Sequence, residues 1–247
     1  MKKLIVASAL AVTMLTGLAT SPKVQASSTA KSAKVTFKQY KKTKTYKNGL
    51  KADFSYNLPK LKGNSAAVKK INKELLGYYK AANTNASKEL FAFASDSAKG
   101  RNLPIAFIIK NCTYFDITKI SVSYNKNNII SFKVYRNAWS GYYVGNKERV
   151  YSQIIAGWTY SLKSGKRLNI TDVAKGDKAS VQKKLSAGVT KYFGIKKGET
   201  ITVHYFLKNG KVYLYPDLSK LNQKYTYAHR NPPVYYNSYF TVESRYK

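Results

Sequence analysis

The sequence predicts an α+β fold: a single domain in which an antiparallel sheet meander is packed by two or three helices. Three observations carry this reading. Residues 117–172 alternate apolar and polar side chains at period two, broken by Asn-, Gly- and Lys-rich turns, which is the pattern of half-buried strands. Residues 64–79 and 177–193 instead repeat their apolar positions every three or four residues, as an amphipathic helix does. Asn209-Gly210 stands between two further alternating runs, and that dipeptide is the strongest short-range hairpin signal.

The chain opens with Lys2-Lys3, an apolar run over 4–18 and a small-residue site at Val24-Gln25-Ala26, so residues 1–26 read as a signal peptide. The apolar run is too short for a lasting membrane span, and no second long one follows, so no transmembrane helix is expected after cleavage. Residues 27–34 read as a flexible basic leader, and 35–247 as one extracellular domain long enough to bury a core.

Val35, Phe37 and Tyr40 suggest a first strand, with 41–48 as a basic connector. Leu50, Ala52, Phe54 and Tyr56 make a second strand, which Pro59 and Gly63 are expected to break. Asn64 or Ser65 can cap a helix carrying Val68, Ile71, Leu75 and Tyr78 or Tyr79 on one stripe. Polar Asn83-Thr84-Asn85 interrupts it, and a second helical piece follows over 88–98 with Leu90, Phe91 and Ala94 buried. Residues 104–115 read as an apolar strand whose phase slips at Asn111. Ile120, Val122 and Tyr124 then alternate, Lys126-Asn127-Asn128 turns the chain, and Ile130, Phe132 and Val134 resume. Residues 151–162 are apolar on both faces, as a covered central strand would be. Asn169-Ile170-Thr171-Asp172 is a helix start, and Asp177 caps a helix with Val181, Leu185, Val189 and Tyr192 on one side, set to cover the sheet. The Asn209-Gly210 turn pairs Leu207 with Val212, Phe206 with Tyr213, Tyr205 with Leu214 and His204 with Tyr215. Residues 234–242 suit a closing strand.

Charge is the strongest compositional feature. The chain has 44 Lys+Arg against 11 Asp+Glu, a formal net charge of +33, and loss of residues 1–26 removes only Lys2, Lys3 and Lys23. Such an excess bears on partners and solubility rather than fold. Lysine, a point charge on a flexible stem, carries most of it, which suits loose multivalent attraction more than shape-specific recognition. One cysteine, Cys112, excludes an internal disulfide and reads as a small buried thiol. A secreted chain without disulfides fits a Gram-positive-type exterior, whose abundant polyanions are wall polymers. The expected partner is therefore an anionic cell-wall polymer or glycan, or an envelope protein, with no specific nucleic acid; localisation is extracellular and wall-associated.

Catalytic chemistry finds little support. Cys112, His204 and His229 have no metal-ligand spacing, and no nucleophile elbow or phosphate-cradling glycine loop occurs, so no metal, cofactor or catalytic residue is assigned. Glycoside hydrolysis needs two facing carboxylates. Asp172 and Asp177 sit at helix starts and Glu74 and Glu89 on helices, which leaves Asp116, Glu148 and Asp217 as weak candidates for that chemistry. Aromatic residues beside cations offer a binding face instead: Tyr225, Tyr227, His229, Arg230, Tyr235 and Tyr236 in the tail, and Trp139, Tyr142 and Tyr143 in a loop near Arg136 and Lys147. Tyrosine is equally a favoured strand residue, so part of each set can be core.

Tyr56-Asn57-Leu58-Pro59-Lys60-Leu61-Lys62-Gly63, Ile71-Asn72, Ile129-Ile130-Ser131-Phe132, the run from Gly157-Trp158-Thr159-Tyr160 to Thr171-Asp172-Val173, and the hairpin over 206–215 occur in an order that resembles a bacterial extracellular domain. That domain is shared by the anti-sigma factor RsiV and the peptidoglycan deacetylase PdaC, and the resemblance spans roughly residues 35–242. It implies a secreted α+β envelope module, alternatively a protein-binding or stress-sensing one, or more remotely a glycan-active enzyme. Members often carry a Gly-Gly-Ala-His-like loop where this chain has Trp139-Ser140-Gly141-Tyr142-Tyr143-Val144-Gly145. Lysozyme sensing is not expected to carry over, because two strongly basic surfaces repel across a Debye length of about 8 Å.

N-terminal sequencing of the exported protein is expected to begin at Ser27; a mature species that keeps Met1 would make a membrane anchor the correct reading.

Overall fold

The computed structural model describes residues 32–99, 112–139, 151–193, 203–216 and 239–247. Strands β1 (Val35–Thr45), β2 (Lys51–Leu61), β3 (Thr113–Lys126), β4 (Ile129–Trp139) and β5 (Tyr151–Ser161) form a five-stranded sheet in that spatial order. β1 and β2 pair antiparallel from Val35↔Leu61 to Thr45↔Lys51, closed by a 3-10 turn over Lys47–Gly49. The predicted basic connector is therefore the second half of a strand. β1 buries almost nothing on either side, so no apolar alternation marks it, and backbone pairing carries it instead.

β2 also outruns its expected end, continuing through Pro59 to Leu61. Its second partner, β3, stops at Tyr56↔Thr118, so Pro59 sits where only β1 is a neighbour and a missing N–H is tolerated. Where the ladder ends, Asn57 Nδ2 donates to Ile120 O at 3.0 Å and continues the connection with a side chain. The β2–β3 pairing is parallel, so the sheet is mixed; the antiparallel meander runs only from β3 to β5. The crossover a parallel pair requires is supplied by α1 (Ala66–Lys88) and α2 (Leu90–Ala98).

Ser65 Oγ accepts from Val68 N at the start of α1, a cap contributing about 1 kcal/mol. Ala67, Val68, Ile71, Leu75 and Ala86 form its buried stripe. The helix passes straight through Asn83-Thr84-Asn85, because Ala86 returns to the core one turn later and rewards continuation. Asn72 fastens α1 to the sheet, accepting from Leu61 N and donating to Leu61 O, each at 2.9 Å. Leu90, Phe91 and Ala94 of α2 complete a core shared with Phe54, Tyr56, Phe132, Trp158 and Tyr160. Cys112 is half-buried at its margin rather than enclosed, and burial raises its thiol pKa.

The β3–β4 turn places Asn127 and Asn128 at φ 56° and 58°, the left-handed pair that a two-residue hairpin of the right twist demands. A register shift between Val122 and Tyr124 sends Tyr124 to the opposite side, into a second core. β5, expected to be central, is the edge of its sheet, yet 156–160 are all buried. The cover comes from a second, antiparallel sheet of β6 (Val203–Lys208), β7 (Lys211–Pro216) and β8 (Phe240–Glu243). Its hairpin realises all four predicted pairs around Asn209-Gly210. β8 supplies the tail end of the expected closing strand; 234–238 lie outside the described residues, as do 104–111 of the apolar strand predicted before β3.

α3 (Ile170–Val173) is a single turn, begun where Asp172 Oδ2 accepts from Asn169 N at 2.7 Å. α4 (Lys178–Phe193) starts where Asp177 Oδ1 accepts from Ser180 N. It packs on the second sheet rather than the first, with Val181 and Leu185 against the group that includes Leu207, Val212, Leu214 and Phe240. The two sheets meet at Gly157, where an added Cβ would lie 2.1 Å from Tyr205 O and 2.7 Å from Phe206 Cβ. Beside it Leu207 N donates to Ser131 Oγ at 3.0 Å, and Ser131 Oγ and Thr159 Oγ1 are 2.8 Å apart, all buried.

Gly157→Ala is expected to lose about 1–3 kcal/mol in urea unfolding, because backbone of β6 must move. Gly77→Ala, at an open helical position with nothing within 4 Å of a new Cβ, should instead gain up to about 1 kcal/mol. Equal effects at the two sites would refute the close approach of the sheets.

Candidate functional site

Trp139, the described member of the aromatic loop, ends β4. Its ring lies 5.4 Å from Tyr114 and 6.2 Å from Phe115, and it lines a shallow cleft opposite Glu89 and Leu90. As bounded by the described residues the cleft encloses about 10 Å³, the room of one water molecule, against the several hundred a small-molecule site needs. Between its walls Arg136 grips Asp116 in a fork, Nε to Oδ1 at 2.9 Å and Nη2 to Oδ2 at 2.8 Å. Asp116 is 5% exposed. Burial works against the Arg136 charge, but the hydrogen bonds and charge of Asp116, with Glu89 nearby, more than offset it and raise the guanidinium pKa.

Asp116, one of the carboxylates left as candidates, holds Arg136 with both oxygens, and Arg136 lines the same cleft as Trp139. Tyr142, Tyr143, Lys147 and Glu148 lie outside the described residues, as do Tyr225, Tyr227, His229, Arg230, Tyr235, Tyr236 and Asp217. His204 is buried and paired with Tyr215 as predicted.

Two aromatic groups take up described tyrosines. In the first, Glu74 Oε1 accepts from Tyr78 at 2.5 Å and from Tyr160 at 3.1 Å, and Arg167 donates to the Tyr78 hydroxyl at 2.7 Å. Tyr78 stacks on Trp158 with centroids 4.4 Å apart. Burial foremost pushes Tyr78 up to about 12 and raises Tyr160 further, so both remain protonated donors. The cluster ties the turn before Arg167 to α1 through the Tyr78 hydroxyl and Glu74 Oε1. In the second, Phe206 lies parallel to Tyr213 at 5.3 Å and near Tyr215 at 5.7 Å, with Tyr239 within 5.5 Å of both tyrosines. Tyr239, at the end of this ladder, is 48% exposed.

The charged side chains are sorted by type. Between described residues the ion pairs are Arg136–Asp116 and Arg167–Glu74, and lysine is in neither. Asp172 and Asp177 serve helix starts. Among the described residues every lysine except Lys133, which lies over the Phe206 ring, is exposed. The densest row is Lys38, Lys41, Lys42 and Lys44 on β1, of which Lys41, Lys42 and Lys44 fell in the predicted connector. Its signal was present, since Lys38, Tyr40, Lys42 and Lys44 repeat at period two in lysine and tyrosine rather than in apolar residues.

No family model and no curated protein matches the chain. Solved structures do. The crystal structure of a DUF3298 family member from Bacteroides fragilis matches with a TM-score of 0.52 at 11% identity, over 85% of this chain and 89% of that one. A DUF3298 family protein from Pseudomonas aeruginosa PAO1 matches with a TM-score of 0.44 at 11% identity, with the same coverage. The likeness to the first is one of fold.

Arg136→Met leaves Asp116 buried without its partner and should cost about 2–4 kcal/mol, the lower end reflecting the partial exposure of the arginine. Adding Asp116→Asn is expected to recover part of that loss. A double-mutant cycle in urea with coupling under about 0.5 kcal/mol would show that the pair does not act as a unit.

Proposed function

We propose that the mature chain is a secreted, strongly basic, non-catalytic binding domain of the cell envelope, of the RsiV/PdaC type, that associates with anionic wall polymer. The observation that carries this reading is the sorting of charge. Among the described residues the ion pairs use arginine, Asp172 and Asp177 are taken up at helix starts, and every lysine but Lys133 is exposed, with the densest row on β1. Lysine suits a flexible, repeating anion, because its ammonium binds without a fixed fork geometry. The likeness to the DUF3298 family member is one of fold and names no ligand. Asp116, one of the carboxylates left over for glycan chemistry, is engaged by Arg136 with both oxygens.

Attraction through many lysines releases counterions, so binding should weaken steeply with salt; for nucleic acid the comparable loss is about 10³–10⁵ between 50 and 200 mM. Co-sedimentation with purified cell walls is expected to fall across a salt series and after removal of teichoic acid. Retention indifferent to both treatments would overturn the proposal and indicate a protein partner.

A further inference from the structure

We infer that β1 is the track on which the polymer lies, and that the ligand it fits is a linear polyol-phosphate chain without bases. This rests on the reading just given and localises it. β1 is an edge strand of eleven residues, roughly 35 Å long, exposed along nearly its whole length. Thr36, Lys38, Tyr40, Lys42 and Lys44 share one face by alternation, and Lys60 joins them by its pairing with Thr36. Successive positions on that face are about 7 Å apart, so the cations stand at one or two such steps from each other. β1 contains no acid, and Asp53, the carboxylate of β2, pairs with Thr43 and so belongs to the opposite face.

The row is held in place. Lys38 Nζ lies 4.9 Å from the Tyr40 ring centroid and Lys44 Nζ 5.3 Å from that of Phe91. Tyr40 in turn stacks on Tyr79 with centroids 4.1 Å apart. Two of the lysines are thus positioned by aromatic faces rather than swinging freely, which lowers the entropy lost when an anion arrives.

The same packing selects among linear phosphodiesters. Single-stranded nucleic acid binds by stacking bases on open aromatic faces beside a basic groove. In this row the Tyr40 ring stacks on Tyr79 and carries the Lys38 ammonium over it, so a base would have to displace one of them to stack there. A planar lipid surface would engage charge spread over an area, whereas these charges form a line one strand wide. A polyol-phosphate chain needs only cations at intervals along a line.

The test uses the mature full-length chain with poly(glycerol phosphate) of defined length and calorimetric titration near physiological salt. Replacing Lys38, Lys42 and Lys44 together by Gln should weaken binding by about tenfold or more, and lower the slope of log K against log salt by roughly 2–3. Replacing Lys178, Lys183 and Lys184 of α4 by Gln removes the same charge from an exposed helix and should change affinity less than about threefold. Arginine at the three β1 positions should retain binding, which separates loss of charge from loss of fold. Equal losses from the β1 and α4 sets would overturn the track while leaving wall association intact. Tighter binding of oligo-dT than of the polyol phosphate at equal charge would overturn the choice of ligand. No binding of poly(glycerol phosphate) by the unaltered chain, with wall association lost as well, would instead reject the broader functional reading.

Discussion

The structure depends on how closely two sheets approach at Gly157. There the backbone of β6 lies against a residue that has no side chain, near enough that a single carbon would collide with Tyr205 O. Bringing backbone into the interior creates a donor that needs a partner, and the Ser131 hydroxyl supplies it for Leu207 N while sharing a bond with Thr159. From this junction follow the burial of an edge strand and the second core beneath α4, which the register shift in β3 joins by sending Tyr124 into it. The residues that carry the family resemblance therefore have architectural tasks. Gly157 and Ser131 make the junction, Asn72 fastens α1, and Asn57 continues a ladder past its end.

The interior uses arginine where it needs a cation. Arg136 meets Asp116 with two parallel bonds, and Arg167 bridges Glu74 and Tyr78. A planar fork can satisfy several acceptors in one partly buried geometry, which an ammonium does less well. Lysine is left to the surface, with Lys133 as the exception among described residues. The division explains how a chain of net charge +33 can build two apolar cores without an internal surplus of charge.

Much of the fold was legible because it rests on local rules. The Asn209-Gly210 turn set a register that pairing then followed, and the stripe Val68, Ile71 and Leu75 marked α1. What escaped depends on partners distant in sequence. Nothing local says that β2 lies parallel to β3, or that Pro59 falls where one ladder has already stopped. Asn83-Thr84-Asn85 has the composition of a helix end, but Ala86 finds a buried place and the helix continues. β5 reads as central because its faces are covered, and the cover is a second sheet rather than neighbouring strands. Of the residues singled out for binding, Trp139 is the one described, in a cleft with Arg136 and Asp116, while the β1 lysines were overlooked because alternation was sought in apolar residues.

The lysines of β1 also govern how copies of the protein meet. A long strand with a bare outer edge is a template for another strand, and among the described residues nothing pairs with that edge. Two copies approaching through it would bring their rows of ammonium groups together, and like charge would oppose the pairing. An anionic chain lying along the row cancels that repulsion. The polymer would then act as an assembly cue: copies lined up on one strand of it lose the guard on their edges at the moment their local concentration is highest.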